Sequence, residues 1–406
     1  MERLIETARG FEDDMVAFAQ KLIQTPSISG EEGAVAQLIC AEMEKLGYDE
    51  VYTDDIGNTV GLIRGAGDGP TVNYNSHMDH VDPGDPANWE YEPYGATIAG
   101  GHIHGRAASD VKGGLASQVY AGAVLAKSGL PFRGTYMFTG VVQEEPAECF
   151  GMQYLVDETL PSKGQMFDVM ITSEATSLNL YLGHRGRLEM EVTTYGRTSH
   201  GSAPQLGINA ITKMMPILAA VDRMAADLPR HAFLGQSSIA PTIINCSPGR
   251  LSIIPDRCTV SLDRRFLPEE KIEDVLGQID AIVASLSKDD PELKAAVAIR
   301  EAEETSYRGY TRVMRKLMAP FMTPQESAEV QACVRGLRAI GQSPSYGTWY
   351  FNTDASYVSG DKGIPTIGYS PGEEHYAHTP KDRISLDLLL GSLPGNAAIA
   401  AAFLGI

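Results

Sequence analysis

Apolar strand-like runs alternate with helix-like segments along most of this 406-residue chain. The strand-like runs lie at 71–75, 135–142, 167–171 and 364–369, and apolar residues recur at helical spacing at 11–25, 31–46 and 114–127. Near-continuous apolar strands are typical of a sheet that is covered by helices on both faces. The pattern therefore predicts an α/β fold with a large domain, in which a mainly parallel central sheet is flanked by helices.

The stretch 183–300 has a different order of elements. It reads as a strand at 187–195, a helix at about 207–227, strands at 239–245 and 257–266, a helix at about 268–286 and a strand at about 294–300. This β-α-β-β-α-β order is the ferredoxin-like pattern, and a chain of this length tends to form two domains. We therefore predict a large domain formed by 1–182 and 301–406, with an inserted ferredoxin-like α+β domain at 183–300.

The charge of the chain argues against several kinds of partner. The formal net charge is −19, whereas nucleic-acid binding requires a basic surface and anionic membranes attract basic segments. We therefore expect neither nucleic acid nor a membrane as a partner, and a small-molecule substrate instead. An anionic substrate would need a local basic group.

Cysteine usage and the N-terminal residues indicate a cytoplasmic location. The five cysteines include no CxxC pair, which argues against both a disulfide framework and a thiolate zinc site. The acidic start at 1–6 lacks the basic and then apolar pattern of a signal peptide. We also find no apolar stretch that approaches the length of a membrane span.

Metal-capable side chains follow the strand-like runs of the large domain. The candidates are His77, Glu144, Glu145, Glu174 and His378, together with Asp110 just before the helix that starts near 114. In open α/β sheets, ligands bind outside the carboxyl ends of the strands, so these side chains are expected to converge on one cleft. Imidazole and carboxylate ligands suit zinc, and also cobalt or manganese. Taken singly, each residue could instead be a loop residue, and Asp110 could cap its helix.

The same residues carry a resemblance to the M20 family of metallopeptidases and amidohydrolases, which includes acetylornithine deacetylases and succinyl-diaminopimelate desuccinylases. The match runs from about residue 15 to the C-terminus and comprises the motifs at 77–79, 105–114, 143–145, 173–174, 199–204, 207–210 and 377–380. The segments at 200–204, 263–265 and 363–368 resemble more closely the selenium-metabolism-linked hydrolase branch.

The resemblance implies a centre with two divalent metal ions, zinc above all. His77 and Glu174 would bind one ion, Glu145 and His378 would bind the other, and Asp110 would bridge the two. Asp79 would hydrogen-bond the His77 imidazole and orient it. Glu144 would be the general base that takes a proton from the attacking water and passes it to the leaving nitrogen. The family also has a cis peptide after the bridging aspartate, here Asp110–Val111.

The inserted domain would act as a lid and as a dimerisation domain. In dimeric relatives, the histidine that matches His200 reaches the partner subunit's site and stabilises the developing oxyanion. Arg265 matches an arginine that often grips a substrate carboxylate, and Gly372 is a further candidate for substrate contact. Ser252 and Gln205 depart from the residues that many relatives have, Asn and His, so the relatives' substrate preference does not transfer.

The resemblance implies a deacylase that hydrolyses an amide C–N bond in a small N-acyl amino acid or peptide-like substrate. Three alternatives stay open. An N-carbamoyl or ureido amidohydrolase would release ammonia, a dipeptidase or aminopeptidase would require a free substrate amine, and a binding protein on the same fold would not turn over. The sequence determines neither the acyl group nor the amine part, nor a preference for D- or L-forms.

Overall fold

The computed structural model describes residues 1–146 and 148–406. Its α-helices are α1 (Glu2–Arg9), α2 (Glu12–Ile23), α3 (Gly33–Leu46), α4 (Gly113–Lys127), α5 (Phe150–Tyr154), α6 (Leu160–Lys163), α7 (Ala210–Ala225), α8 (Ile272–Asp289), α9 (Ala328–Ala339) and α10 (Leu386–Leu404). The helices predicted at 11–25, 31–46 and 114–127 correspond to α2, α3 and α4. Helix α3 ends where Gly47 takes up a left-handed conformation, with φ +84°, which glycine adopts without steric cost.

Two large sheets contain most of the strands. In chain order these strands are β1 (Glu50–Thr53), β2 (Thr59–Arg64), β3 (Thr71–His77), β4 (Thr135–Val141), β5 (Val169–Thr172), β6 (Leu180–Tyr181), β7 (Gly186–Tyr195), β8 (Ser238–Ser247), β9 (Arg257–Phe266), β10 (Lys294–Ile299), β11 (Leu317–Met318), β12 (Tyr346–Gly347) and β13 (Thr366–Gly368).

The larger sheet has the strand order β1-β2-β4-β3-β5-β13-β6-β12. Its centre, β4-β3-β5-β13, is parallel, while β1 and β2 add an antiparallel edge. Successive residues of β4 point to opposite faces, so that Tyr136 and Phe138 lie in one buried apolar cluster and Met137 in another. The predicted sheet with helices on both faces is therefore confirmed.

The second sheet has the order β8-β9-β7-β10, and β11 also pairs with β7. With α7 and α8 packed against it, this is the ferredoxin-like arrangement expected from the sequence. After β10, a hairpin of Glu301–Thr305 and Thr311–Arg315 extends to the large domain, where the Tyr307 hydroxyl donates to the carbonyl of Gly57 at 3.2 Å. The exact division of the chain at 183 and 300 stays a prediction.

The C-terminal helix α10 corrects one expectation. Its 19 residues have the length and the apolar composition of a membrane span, although we expected no such stretch. The helix packs on α4 and α9, and its side chains from Leu389 to Leu404 contribute to the main apolar core. Its apolar character therefore reflects burial inside the domain.

Candidate metal centre

Three candidate metal ligands lie at the carboxyl ends of neighbouring parallel strands. His77 is the last residue of β3, Glu145 follows β4, and Glu174 follows β5. Because β4, β3 and β5 are adjacent and parallel, their carboxyl ends meet at one edge of the sheet. The strand order thus gathers side chains that are up to 97 positions apart in the sequence.

Asp110 lies between the two histidines. Its Oδ1 is 3.1 Å from Nε2 of His77, and its Oδ2 is 3.2 Å from Nε2 of His378. The same nitrogen of His378 is 3.0 Å from Oε2 of Glu145, and that of His77 is 3.8 Å from Oε1 of Glu174. A carboxylate that presents one oxygen to each of two ligand pairs has the arrangement expected of a bridging group.

The turn before α4 fixes the position of Asp110. The buried Asp382 carboxylate accepts hydrogen bonds from the backbone N–H groups of Ala107 at 2.7 Å and Ser109 at 3.0 Å. The peptide bond between Asp110 and Val111 is cis, as the resemblance implies.

Asp79 contacts the His77 imidazole, and the contact is made mainly through its main chain. The Nδ1 atom of His77 is 3.0 Å from the backbone carbonyl oxygen of Asp79 and 3.7 Å from its carboxylate. The carboxylate instead accepts the backbone N–H groups of Glu144 and Glu145, at 3.0 and 3.1 Å, and the hydroxyl of Ser29 at 2.6 Å. Asp79 therefore orients His77 through its main chain, and its side chain positions the two glutamates.

Crowded, buried carboxylates dominate the electrostatics of the cluster. Burial, and then the charge of Glu174, raise the pKa of Glu144 well above its usual range. Burial alone would lower the pKa of His77, but the carboxylates of Asp110 and Asp79 beside the imidazole raise it well above its ordinary value. Hydrogen bonds with Asp110 and Glu145 raise the pKa of His378 to about 10. The acids and the imidazoles thus compensate one another's charge.

The same side chains fit a pair of divalent cations. Ligand atoms of His77, Glu144 and Glu174 lie within 4.8 Å of one another, and so do those of His77, Asp110 and Glu145. The Oε1 atom of Glu145 is buried and has no hydrogen-bond partner in the described part of the chain. An unpartnered carboxylate oxygen in a cluster of imidazoles and carboxylates is the donor that a divalent ion would satisfy.

The cluster opens into a cavity of about 340 Å³ that is lined by residues of both the large domain and the lid domain. Arg265 lines it, as predicted for a substrate contact, but its Nη1 donates to Oδ1 of Asn352 at 2.6 Å. The other lining residues were not predicted from the sequence; they are Arg187, Tyr350, Phe351, Asn352, Glu374 and Ala377. Asp354 was not predicted either; it is a buried carboxyl near His77 and Asp79, and burial raises its pKa to about 7.

Two predicted site residues lie elsewhere. His200 is exposed on a loop of the lid, where its Nδ1 is 2.7 Å from the hydroxyl of Ser202. Gly372 packs against the main chain before Asp110, since a Cβ there would lie 2.3 Å from the carbonyl oxygen of Ser109. The absence of a side chain at Gly372 thus serves close packing, and its contact with a substrate stays a prediction.

Sequence comparisons relate the chain to peptidases and deacylases. Residues 182–291 match the M20 peptidase dimerisation domain. The uncharacterised protein YgeY of Escherichia coli K12 is 33% identical over 404 residues, which is 99% of this chain and 97% of YgeY. A succinyl-diaminopimelate desuccinylase of Methylobacterium sp. 4-46 is 31% identical over 265 residues, 62% of this chain and 66% of that enzyme.

Solved structures share the whole fold. The aminopeptidase PepT of Bacillus cereus has a TM-score of 0.75 and 21% identity, over 97% of this chain and 98% of PepT. The M20 metallo-carboxypeptidase Sso-CP2 of Sulfolobus solfataricus has a TM-score of 0.72 and 16% identity, over 97% of this chain and 99% of Sso-CP2. The dinuclear metal-binding M20 peptidase YXEP of Bacillus subtilis has a TM-score of 0.71 and 12% identity, over 98% of this chain and 99% of YXEP. At these identities the likeness concerns the fold.

Proposed function

Because this chain belongs to the M20 family of metallopeptidases and amidohydrolases, we propose that it is a deacylase that uses two zinc ions to hydrolyse a small N-acyl amino acid. The family read from the motifs is confirmed, and with it a metal-dependent hydrolase of amide bonds. Our proposal adds the identity of the metal, the number of ions, the substrate and the roles of single residues. The selenium-linked branch stays a prediction.

One observation carries the proposal. Asp110 offers one carboxylate oxygen to His77 at 3.1 Å and the other to His378 at 3.2 Å, while Glu144 lies buried beside His77 and Glu174. Five candidate ligands and one further carboxylate thus share a single cluster. Hydrolysis by a metal pair requires such a ligand set and a separate proton carrier.

In the proposed mechanism, two divalent ions would be held by His77, Glu174, Asp110, Glu145 and His378. When bound, these ions lower the pKa of a water molecule and polarise the amide carbonyl. The carboxylate of Glu144 accepts a proton from the attacking water and donates it to the leaving nitrogen. Asp79 fixes the main chain of Glu144 by accepting its N–H. The cavity wall formed by the lid orients the substrate.

A substrate panel tests this function. Metal-reconstituted protein is incubated with N-acetyl, N-succinyl and N-carbamoyl amino acids and with dipeptides, and the release of amine and of ammonia is followed separately. We expect amine release from an acyl amino acid without ammonia. Ammonia from the carbamoyl set would move the reaction to the ureido hydrolases, and hydrolysis of dipeptides alone would make the protein a dipeptidase. Silence across the panel with two bound ions would contradict a general deacylase.

We further propose that the lid domain forms a homodimer. Strand β8 is an edge strand of the lid sheet, and its Ile243 and Ile244 are 46% and 57% exposed. An exposed apolar edge strand favours pairing with a second chain. In the dimer, His200 of the partner subunit would reach this cavity, since His200 lies on an exposed loop in its own chain.

We expect Ile244→Lys to convert a dimer of about 88 kDa into the 43.8 kDa monomer, because a charge at the centre of the paired edge would have to be desolvated. Sedimentation velocity measures this. Val313→Lys is the matched control, since Val313 is equally exposed (56%) but lies on the hairpin outside the lid sheet. A monomeric wild-type protein, or an unchanged dimer in Ile244→Lys, would contradict this interface.

The metal and the cellular location complete the proposal. The ligand set accepts zinc, cobalt or manganese, and we propose zinc. All five cysteines are free thiols, although Cys246 and Cys258 are direct cross-strand neighbours. Free thiols are typical of a reducing compartment, and this supports the proposed location in the cytoplasm.

A further inference from the structure

The lid wall of the cavity contains an arginine that the proposed mechanism does not use. Arg187 on β7 is the register partner of Arg265 on β9. Directly opposed residues of antiparallel strands project from the same face of a sheet. Both side chains therefore line the cavity together with Asp110, Glu144 and the other residues of the cluster.

The hydrogen-bonding capacity of Arg265 is largely used within the protein. Its Nε and Nη2 contact the Asp263 carboxylate at 2.7 and 3.1 Å, and its Nη1 donates to Asn352 at 2.6 Å. A guanidinium that is held on three nitrogens is poorly placed to bind a further anion. Arg265 instead forms part of the rigid wall and links the lid to the large domain.

Arg187 is less completely paired. It contacts Glu189 through Nη2, but Glu189 also accepts from Arg300 at 2.9 Å. The Nε atom of Arg187 is buried without a hydrogen-bond partner within residues 1–146 and 148–406, and the Asp263 carboxylate is 3.7 Å away. Three guanidinium groups thus share two carboxylates, which leaves one positive charge and one buried donor at the cavity wall. A buried N–H without an acceptor costs free energy that a ligand can restore.

The wall contributed by the large domain contains a buried carboxyl oxygen rather than a buried N–H group. Glu374 lies in the segment between β13 and His378 and lines the same cavity. Its Oε1 atom is buried, and it likewise lacks a hydrogen-bond partner in the part of the chain that the structure describes. Among the described residues, one cavity therefore has an unpaired guanidinium N–H on the lid side and an unpaired carboxyl oxygen on the large-domain side.

We propose that Arg187 and Glu374 select a substrate that bears both a carboxylate and an ammonium group, with the carboxylate on Arg187 and the ammonium on Glu374. This inference rests on the proposed amide hydrolysis and narrows its substrate to a zwitterionic amide. Two kinds of molecule have this chemistry. A dipeptide carries the ammonium on the acyl side, and a monoacylated diamino acid carries it on the amine side.

Two matched substrate series test the selection and distinguish the two sources. The first series is Nα-acetyllysine, N-acetylnorleucine without the ammonium, and Nα-acetyllysine amide without the carboxylate. The second series is alanyl-alanine, propionyl-alanine and alanyl-alanine amide, which differ in the same way. With metal-reconstituted protein, we expect kcat/KM for the zwitterion of one series to exceed both of its analogues by roughly 10- to 100-fold, the contribution of a charge-assisted hydrogen bond.

Substitutions assign each preference to one residue. We expect Arg187→Gln to abolish the preference for carboxylate over carboxamide while the preference for ammonium persists, and Glu374→Gln to do the converse. Arg223→Gln, at an exposed position of the lid helix α7 outside this ion-pair network, and Glu373→Gln, next in sequence to Glu374, are the controls and should keep both preferences. A loss in kcat/KM that is equal for all three members of a series would reduce Arg187 or Glu374 to a structural role and overturn the proposal.

A binding measurement separates this inference from the proposed hydrolysis. Calorimetric titration of the metal-reconstituted Glu144→Ala protein with the same compounds gives dissociation constants without turnover, with and without Arg187→Gln or Glu374→Gln. If the wild-type protein hydrolyses none of the six compounds but binds them with the expected charge preferences, the hydrolysis fails and the selection stands. If the protein hydrolyses these compounds without any charge preference, the hydrolysis stands and the selection fails. Absence of both hydrolysis and charge-dependent binding overturns both.

Discussion

Replacing Glu144 with alanine is expected to lower kcat by roughly 10²- to 10⁴-fold while both metal ions stay bound, because removal of a general base typically costs this much. In the structure Glu144 is buried next to His77 and Glu174, and burial and then the charge of Glu174 raise its pKa well above the usual range. A carboxylate in such surroundings gains readily from taking up a proton. The five ligands assigned to the metals are unchanged in this variant.

The measurements are kcat with the best substrate of the panel and the metal content by plasma mass spectrometry. Glu145→Ala serves as the matched comparison, because it removes the adjacent carboxylate, which contacts His378 at 3.0 Å, and should lower metal content as well as turnover. Turnover close to that of the wild type in metal-replete Glu144→Ala would reject Glu144 as the base. Loss of metal from Glu144→Ala would make Glu144 a ligand instead.

The positions of three of the proposed metal ligands were predictable because they depend on a simple property of parallel sheets. His77, Glu145 and Glu174 each follow an apolar run, and those runs became the adjacent parallel strands β3, β4 and β5. Asp110 and His378 lie in connecting segments, where strand periodicity gives no position. Asp110 was a candidate because it precedes a predicted helix, and His378 because it follows the run 364–369 at some distance. The structure brings both to the edge where the three strands end.

The lid side of the cavity was harder to predict. The pattern Gly183-His184-Arg185-Gly186-Arg187 contains no motif that separates the two arginines, and which one faces the cavity depends on the register between β7 and β9. A shift of one residue would have brought Gly186 or Leu188 to this position, and a shift of two residues would have brought Arg185 there. Glu374 also lies in a connecting segment, so its burial against the cavity follows only from tertiary packing.

Asp79 and helix α10 show a further limitation, because the sequence indicates neither which atoms of Asp79 make each contact nor that residues 386–404 form a buried apolar helix. The offset of two residues from His77 identified Asp79, but spacing does not indicate which of its oxygens contacts the imidazole. The carbonyl oxygen does so at 3.0 Å, which frees the carboxylate for the main chain of the two glutamates. In α10, small residues such as Ala397, Ala398 and Ala400 provide apolar length, and only the packing on α4 and α9 identifies a core helix.

Replacing Asp110 with asparagine is expected to reduce the bound metal from two ions per chain to one or none and to abolish measurable turnover. The substitution preserves the size of the side chain but leaves a single carbonyl oxygen and no negative charge. In the native protein both carboxylate oxygens are engaged, with His77 on one side and His378 on the other. Loss of the shared anion would also leave two cations at close range with less compensating charge, which disfavours joint occupancy.

Metal content of the reconstituted protein and the rise in Tm on adding zinc measure this effect, since an ion that binds only the folded state stabilises it in proportion to its occupancy. We expect a clear rise in Tm for the wild type and a much smaller one for Asp110→Asn. Asp82→Asn is the control, because Asp82 is an exposed carboxylate in the loop after His80. Two ions bound to Asp110→Asn with the affinity of the wild type would show that the centre forms without a bridging carboxylate, and each ion would then have to be held by its own histidine and glutamate.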